Sequence, residues 1–362
     1  MFARRPLRAL QVEPTSRCTR RCAVCPRSEL ADRWQSGDLS SDTWARLAPD
    51  LRLARHVHLQ GWGEPLLHPE LREMVRDAKA ARCTVGFTTN GDLLDDHAVW
   101  IVEESVDLLA VSVAGAGSDH ARLRDGSDLE ALWRSLATLG RLRRRRRPRL
   151  QVAYLLTVDT AEGLHEVVRS AATAGADELY VTHLDVAPSV GLARRAAFDA
   201  NGLRPGVAAA LDRASAAARA TGLAFRGPAR RPEELLACAL DPTRFAFVTW
   251  SGAVAPCVNL ALPVDGPIPR VTGGRLVEVE PVVWGQLGDR PLSEILDGDE
   301  ARRFQEPFRA RLAAERHLAA AQSGWGPSTL RCLERSAREC DRALEENPFP
   351  AACRGCPKAD GW

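Results

Sequence analysis

Three cysteines in the run CTRRCAVC, Cys18, Cys22 and Cys25, are the residues of this chain best suited to chemistry. Thiolates so close in sequence can converge on iron or zinc. A [4Fe–4S] cluster normally takes four Cys thiolates, so a three-cysteine loop leaves one iron open to an outside ligand. A structural zinc knuckle is the alternative, but such sites are closed by four Cys or His ligands. The next Cys is Cys83 and the next His is His56. With no fourth ligand nearby, the spacing favours an open iron site.

Such a loop has to be held by regular structure. Strand patterns fall at 8–14, 56–61, 84–89, 107–113, 150–157 and 178–184. Between them lie helical patterns, such as Leu129, Leu132, Trp133, Leu136 and Leu139 behind a capping Asp128, or Leu164, Val167, Val168 and Ala171 behind Thr160. Repeated β-α units predict an α/β fold with a parallel sheet and right-handed crossovers. Its site should lie outside the C-terminal strand ends. The cysteine loop follows the first strand, GWGEPLLHP the second, TNG the third and VAGAG the fourth, so all four should meet on one face. The basic run 141–149 ends the fourth helix on the opposite face, where a solvated helix end is expected.

The pattern changes after an Ala-rich helix at about 206–221. Residues 245–258 read as a hairpin turning at Ser251 and Gly252. A Pro- and Gly-rich loop at 263–274 follows, then helices at about 292–304 and 306–322. A boundary near 226 is expected, dividing 1–225 from 226–362.

C-x3-C-x2-C after a first strand, with G-x-G-E-P after the second, resembles the radical S-adenosylmethionine (SAM) superfamily. The resemblance covers residues 8 to about 200. It implies a partial (β/α)6 barrel of TIM type in which Cys18, Cys22 and Cys25 hold [4Fe–4S] and the amino and carboxylate groups of SAM chelate the fourth iron. An electron from that cluster cleaves SAM to methionine and a 5′-deoxyadenosyl radical, which abstracts hydrogen from substrate. Gly61 and Gly63 let backbone approach closely, and polar groups of Gly63 and Glu64 can meet the SAM ammonium. Ser112 in SVAG matches a family serine near the SAM carboxylate or ribose, and Arg124 in ARLRDGS matches an arginine often found there. Asn90 in TTNG lines the pocket or orders its loop. Val24 and Ala114 depart from the family, which commonly has an aromatic residue before the third Cys and Asp in the fourth-strand motif, so fine SAM contacts need not transfer.

A second constellation comprises Cys238, then Gly252 and Cys257 in G-x4-C, then Cys353 and Cys356 in CRGC. It resembles the SPASM and shorter twitch extensions of the family, which bind auxiliary [4Fe–4S] clusters, and GQLGDRPLSEILDGDEARRF resembles their connecting segment. A full SPASM domain would continue with more cysteines after CxxC, so a small α+β domain with one fully ligated cluster on Cys238, Cys257, Cys353 and Cys356 is expected. Zinc is the alternative for four thiolates. A cluster with no open iron is suited to passing electrons. Of the other cysteines, Cys83 should be core. Cys332 and Cys340, eight apart in a helical pattern, share a side. They are packed, supplement the ligands, or donate a hydrogen atom to a substrate radical, which would turn oxidation into epimerisation.

A net charge of +2 on 362 residues gives no strong field for nucleic acid or an anionic membrane, and no apolar run approaches the ~20 residues of a span. Arg4 and Arg5 could begin a twin-arginine signal, but Pro6, Arg8 and Gln11 interrupt any apolar region after them. Ten cysteines spaced like metal ligands rather than a disulfide framework predict a cytoplasmic location. The leading expectation is a radical SAM oxidoreductase that dehydrogenates a hydroxylated small molecule in natural-product biosynthesis, driven by an external one-electron reductant such as flavodoxin or ferredoxin. His183, Asp185, Asp159 and Glu13 are candidate bases. Only 17 residues precede Cys18, too few for the leader-recognition domain of many peptide-modifying relatives, so a small molecule is expected ahead of a peptide. The alternatives are a peptide or protein maturase, including crosslinking, a redox-neutral epimerase and, from another class, a non-catalytic iron–sulfur electron carrier. The carrier reading is disfavoured because a carrier needs no SAM pocket.

Overall fold

The computed structural model describes residues 6–199, 202–232, 235–322, 338 and 341–361. Its main sheet is built first from β1 (Leu7–Val12), β2 (Ala54–Leu59), β3 (Thr84–Thr89), β4 (Leu108–Val113), β5 (Arg149–Leu155) and β6 (Glu178–Thr182), each parallel to the next. These are the six predicted strands, with ends displaced by up to two residues. A short hairpin, β7 (Phe198–Asp199) and β8 (Gly202–Leu203), lies apart from the sheet. Strand β9 (Ala224–Arg226) extends the sheet beyond β6.

Alternation along the strands sorts the side chains into two faces. Leu10, Val57, Phe87, Val111 and Val152 are fully buried in the main core. The helices Leu71–Ala80, Leu94–Glu103, Leu129–Leu142, Leu164–Thr173 and Val207–Thr221 contribute their apolar stripes to that core. Each such side chain contributes about 1.5–3 kcal/mol by leaving water. The neighbours Gln11, Thr88, Ser112, Ala153 and Tyr180 point the other way and line a cavity.

Of the later strands, three add to the free edge of β1 and two pair apart from the main sheet. β10 (Phe245–Val248) runs parallel to β1 and turns back through Gly252, at φ +86°, into β11 (Ala253–Ala255), as the hairpin pattern predicts. The stretch 263–274, expected as loop, instead contains β12 (Ile268–Thr272), which pairs with β13 (Arg275–Val279). Gly273 and Gly274, both at positive φ, make the tight turn between them, a hairpin signal that the surrounding prolines obscured. β14 (Gly285–Gln286) completes the ten-stranded sheet beyond β11.

Two helix boundaries differ from expectation. The break expected at about residue 305 falls at Asp297 and Gly298, giving helices Leu292–Leu296 and Asp299–Gln322 with Pro307 inside the second. Thr160 does not cap its helix, which begins at Leu164. Its hydroxyl meets that of Thr157, and its carbonyl accepts from Tyr154 Oη. Asp128 caps as predicted, accepting from the Ala131 amide at 3.0 Å.

The basic run also corrects its simple reading as a solvated end. Arg143, with a side chain 10% exposed, and Arg146 pair with Asp177, while Arg147 joins Lys79 on Asp107. These two aspartates also accept from the backbone amides of Leu150 and Val85, so the arginines clamp the N-terminal ends of the strands. Cys83 is core, as expected. Cys332 and Cys340 lie outside the described residues.

Candidate active site

The cysteine loop has no regular structure of its own, so its shape comes from ties to neighbouring strand ends. Arg20 and Thr19 hold Asp92 beyond β3. Arg20 also reaches the carbonyls of Arg124 and Asp125 beyond β4, the Arg21 amide donates to Asp125 Oδ2 at 2.8 Å, and the Ala23 amide donates to Leu123 O. Burial pushes the Cys25 thiol up to about 11, with Cys22 and Cys18 adding to it, and burial likewise raises Cys22. The three thiols are therefore in mutual electrostatic reach in a partly dry site. Such thiols need a cationic partner to become thiolate ligands.

Gly61 and Gly63 are required by close approach. A Cβ on Gly63 would lie 2.2 Å from Thr15 O and 2.4 Å from Arg17 O, and one on Gly61 would lie 2.2 Å from Glu13 Cγ. The Glu64 amide donates to Arg17 O at 2.8 Å, which locks this loop to the chain entering the cysteine loop. The Glu64 carboxylate is buried and occupied, accepting from the Leu66 and Asn90 amides and from Thr89 Oγ1. Burial raises it to about 7. Its backbone is thus the part left to face a ligand.

Asn90 does both things expected of it. It lines the cavity, and its Nδ2 donates to Thr19 Oγ1 at 2.9 Å and towards Cys18 Sγ at 3.7 Å, ordering the loop. Ser112 and Arg124 reach the same cavity, and Arg124 Nε is buried with no hydrogen-bond partner among the described residues. Val24 and Ala114, the two departures from the family pattern, pack into one apolar cluster with Leu123, Leu184 and Leu192. They are one local solution rather than two separate changes.

All nine residues predicted for the cluster and SAM line a single cavity of about 330 Å³. The fit to a cluster with a chelating SAM rests on three features of this chain: three clustered thiols, glycines whose Cβ atoms would block the loop, and an unspent guanidinium nitrogen. The candidate bases divide. His183 and Asp185 line the cavity. Burial lowers His183 to about 4, which keeps it neutral, while Asp185 pairs with Lys358 at 2.8 Å. Asp159 is paired with Arg195, and Glu13 is buried with its oxygens taking the Trp62 and Trp250 amides; neither is among the cavity-lining residues.

The second thiol set assembles at the edge of this cavity. Burial raises Cys257, and Cys356, Cys353 and Cys238 add to it; burial also pushes Cys353 up to about 12. The four are therefore mutual neighbours although Cys353 lies far from Cys238 in sequence. Val258 and Asn259, directly after Cys257, line the cavity, and Trp62 Nε1 donates to Val258 O at 3.2 Å. Sequence reasoning missed Trp62 and Asn259, since neither belongs to a spacing pattern. Among the described residues, no group of three or more His, Cys, Asp or Glu is arranged to hold a single metal ion.

Residues 12–171 match the Radical SAM superfamily and residues 238–319 match the SPASM iron–sulfur cluster-binding domain. The chain thus carries a radical SAM domain followed by a SPASM domain in its C-terminal part. It is 25% identical over 314 residues to the tungsten-containing aldehyde ferredoxin oxidoreductase cofactor-modifying protein of Pyrococcus furiosus, covering 80% of each chain. SuiB of Streptococcus suis, solved with bound S-adenosylmethionine, has the same fold at a TM-score of 0.60 and 12% identity over 83% of this chain and 68% of that one. anSMEcpe with bound AdoMet has a TM-score of 0.60 at 15% identity over 94% of each chain. The family's cofactors are SAM and [4Fe–4S], with a further cluster in the SPASM domain. Among the described residues no helix is long and apolar enough to cross a membrane.

Proposed function

We propose that this chain is a radical SAM oxidoreductase that dehydrogenates a hydroxylated small molecule in natural-product biosynthesis. The observation that carries the proposal is the shared cavity: the residues after Cys257 and the cysteines of the N-terminal loop line the same space, with Asp185 and His183 in its wall. Cys18, Cys22 and Cys25 would hold the SAM-binding cluster, and Cys238, Cys257, Cys353 and Cys356 the auxiliary one. Gly61, Gly63, Glu64, Asn90, Ser112 and Arg124 would hold SAM. When bound, these groups supply the electron that cleaves SAM, the radical that takes hydrogen and an acceptor for the electron left on the substrate.

The chain itself supplies orientation and proton handling. Gln11, Gln60, Thr88 and Thr182 give the wall neutral donors and acceptors suited to hydroxyl groups. Asp185 or His183 would take the hydroxyl proton. A carbinol losing a hydrogen atom, a proton and an electron becomes a carbonyl, so the balance closes. An external one-electron donor such as flavodoxin or ferredoxin would feed the N-terminal site. Cysteines that serve as metal ligands suit a reducing, cytoplasmic setting, and the division near residue 226 follows the change from β-α units to hairpins.

Anaerobic reconstitution tests the proposal. The wild type should hold about eight irons and form 5′-deoxyadenosine from SAM and reductant, with the product lighter than substrate by two hydrogens. Iron near four with nucleoside still formed would remove the auxiliary site. An unchanged product mass would replace oxidation by epimerisation, and no nucleoside at all would remove SAM cleavage by this chain.

A further inference from the structure

Strand β12 buries Arg270, which is 1% exposed. Its Nη1 donates to Ala352 O and its Nη2 to Asn259 O, each at 3.2 Å, while Nε has no hydrogen-bond partner among the described residues. It forms no ion pair among the described residues, whereas Lys358 is paired with Asp185. A buried cation without a counter-charge is costly, and chains rarely retain one unless something negative faces it.

The carbonyls that Arg270 holds locate that negative charge. Ala352 directly precedes Cys353, and Asn259 follows Cys257 by two, so the guanidinium is strung between two thiol-bearing segments. Two residues along the strand, and so on the same face, Thr272 has a buried hydroxyl with no hydrogen-bond partner among the described residues. That hydroxyl abuts the turn between Cys353 and Cys356: a Cβ on Gly355, at φ +67°, would lie 2.8 Å from Thr272 Oγ1. One face of β12 thus presents an unspent charge and an unspent donor to the CRGC turn.

We infer that Arg270 and Thr272 form the outer shell of the auxiliary cluster, the guanidinium offsetting its negative charge and the hydroxyl donating to one of its sulfurs, so that it accepts an electron more readily. Four thiolates outweigh the positive charge of an iron–sulfur core, and one-electron reduction makes the site more negative still. A fixed cation and a donor therefore favour the reduced form, since net charge and hydrogen bonds to the sulfurs are among the levers that set cluster potentials. The inference rests on the four-cysteine ligand set proposed above.

Redox titration followed by electron paramagnetic resonance tests it, using the full chain with Cys18, Cys22 and Cys25 replaced by alanine so that only the auxiliary cluster titrates. Arg270→Gln should make reduction at least tenfold less favourable, about 59 mV for one electron. Arg270→Lys should recover most of that loss, and Thr272→Val should move the potential in the same direction by less. Arg270→Gln or Thr272→Val holding its cluster at an unchanged potential overturns the inference. If Arg270→Gln loses iron and Arg270→Lys keeps it, the need for charge is upheld. If both lose iron, Thr272→Val decides by moving or not moving. A parent protein with fewer than about four irons instead defeats the ligand set, a result distinct from irons present at an unmoved potential.

Discussion

Replacing Gly63 by alanine should damage the cysteine loop without touching a cysteine. The new Cβ would lie 2.2 Å from Thr15 O and 2.4 Å from Arg17 O. Comfortable heavy-atom contact begins about 1 Å further out, so the two segments must part by about that much. Both obstacles are backbone, so no rotamer change relieves them. The movement opens the 2.8 Å bond from the Glu64 amide to Arg17 O, next to Cys18. Overpacking costs about 1–3 kcal/mol and the lost bond about 1 kcal/mol more. At about 2 °C per kcal/mol for a chain of this size, the apo protein should melt ~4–8 °C lower. Nucleoside formation should fall by up to ~100-fold, since about 1 Å of misplacement is enough for that. Gly140→Ala is the control. Its Cβ, in helix Leu129–Leu142, meets nothing nearer than 3.8 Å, so helix propensity should raise stability by about 1 kcal/mol. A Gly63→Ala protein with wild-type melting and wild-type 5′-deoxyadenosine formation would refute the close-approach reasoning.

Asp185→Asn should lower product formation by ~10²–10⁴-fold while SAM cleavage continues, if Asp185 takes the substrate proton; product formed at the wild-type rate rules it out as the base. Burial raises Glu13 to about 7 from 4.5, against the opposing bonds from the Trp62 and Trp250 amides. The sign follows: its stabilisation is complete below the unfolded value and is lost as pH rises through about 7, by roughly 3 kcal/mol. Wild-type melting should therefore fall from pH 5 to 8 relative to Glu13→Gln, and a constant difference between the two would remove this linkage. Asp177→Asn should cost about 3 kcal/mol by stranding Arg143, whose side chain is 10% exposed. Chemical denaturation measures that loss, and a cost below about 0.5 kcal/mol would return the basic run to a solvated role.

Local signals made the barrel and its site legible. Strand alternation located all six parallel strands, and topology alone brought Cys18, Gly63, Asn90 and Ser112 to one end. The cavity confirms that convergence. Long-range ties were not legible, because they obey no period. Nothing in the spacing says that Arg20 grips Asp92, that Glu13 spends its carboxylate on two amides, or that Trp62 reaches Val258. The strand carrying Arg270 was hidden for a different reason. A stretch rich in Pro and Gly reads as irregular unless its paired glycines are taken as a hairpin turn, and only the folded partner shows Pro269 opposite Glu278.

The pairing of β10 with β1 also bears on how the chain can be divided. Ala9 to Val12 lie in register with Phe245 to Val248, which cover one side of the first strand. Cutting the chain near 226 would leave an apolar, fully formed edge with its amides and carbonyls unpaired, the kind of template on which sheets of different molecules join. Residues 1–225 alone should therefore aggregate before they could be assayed, whereas a fragment that keeps the residues through β14 retains the strands that cover this edge.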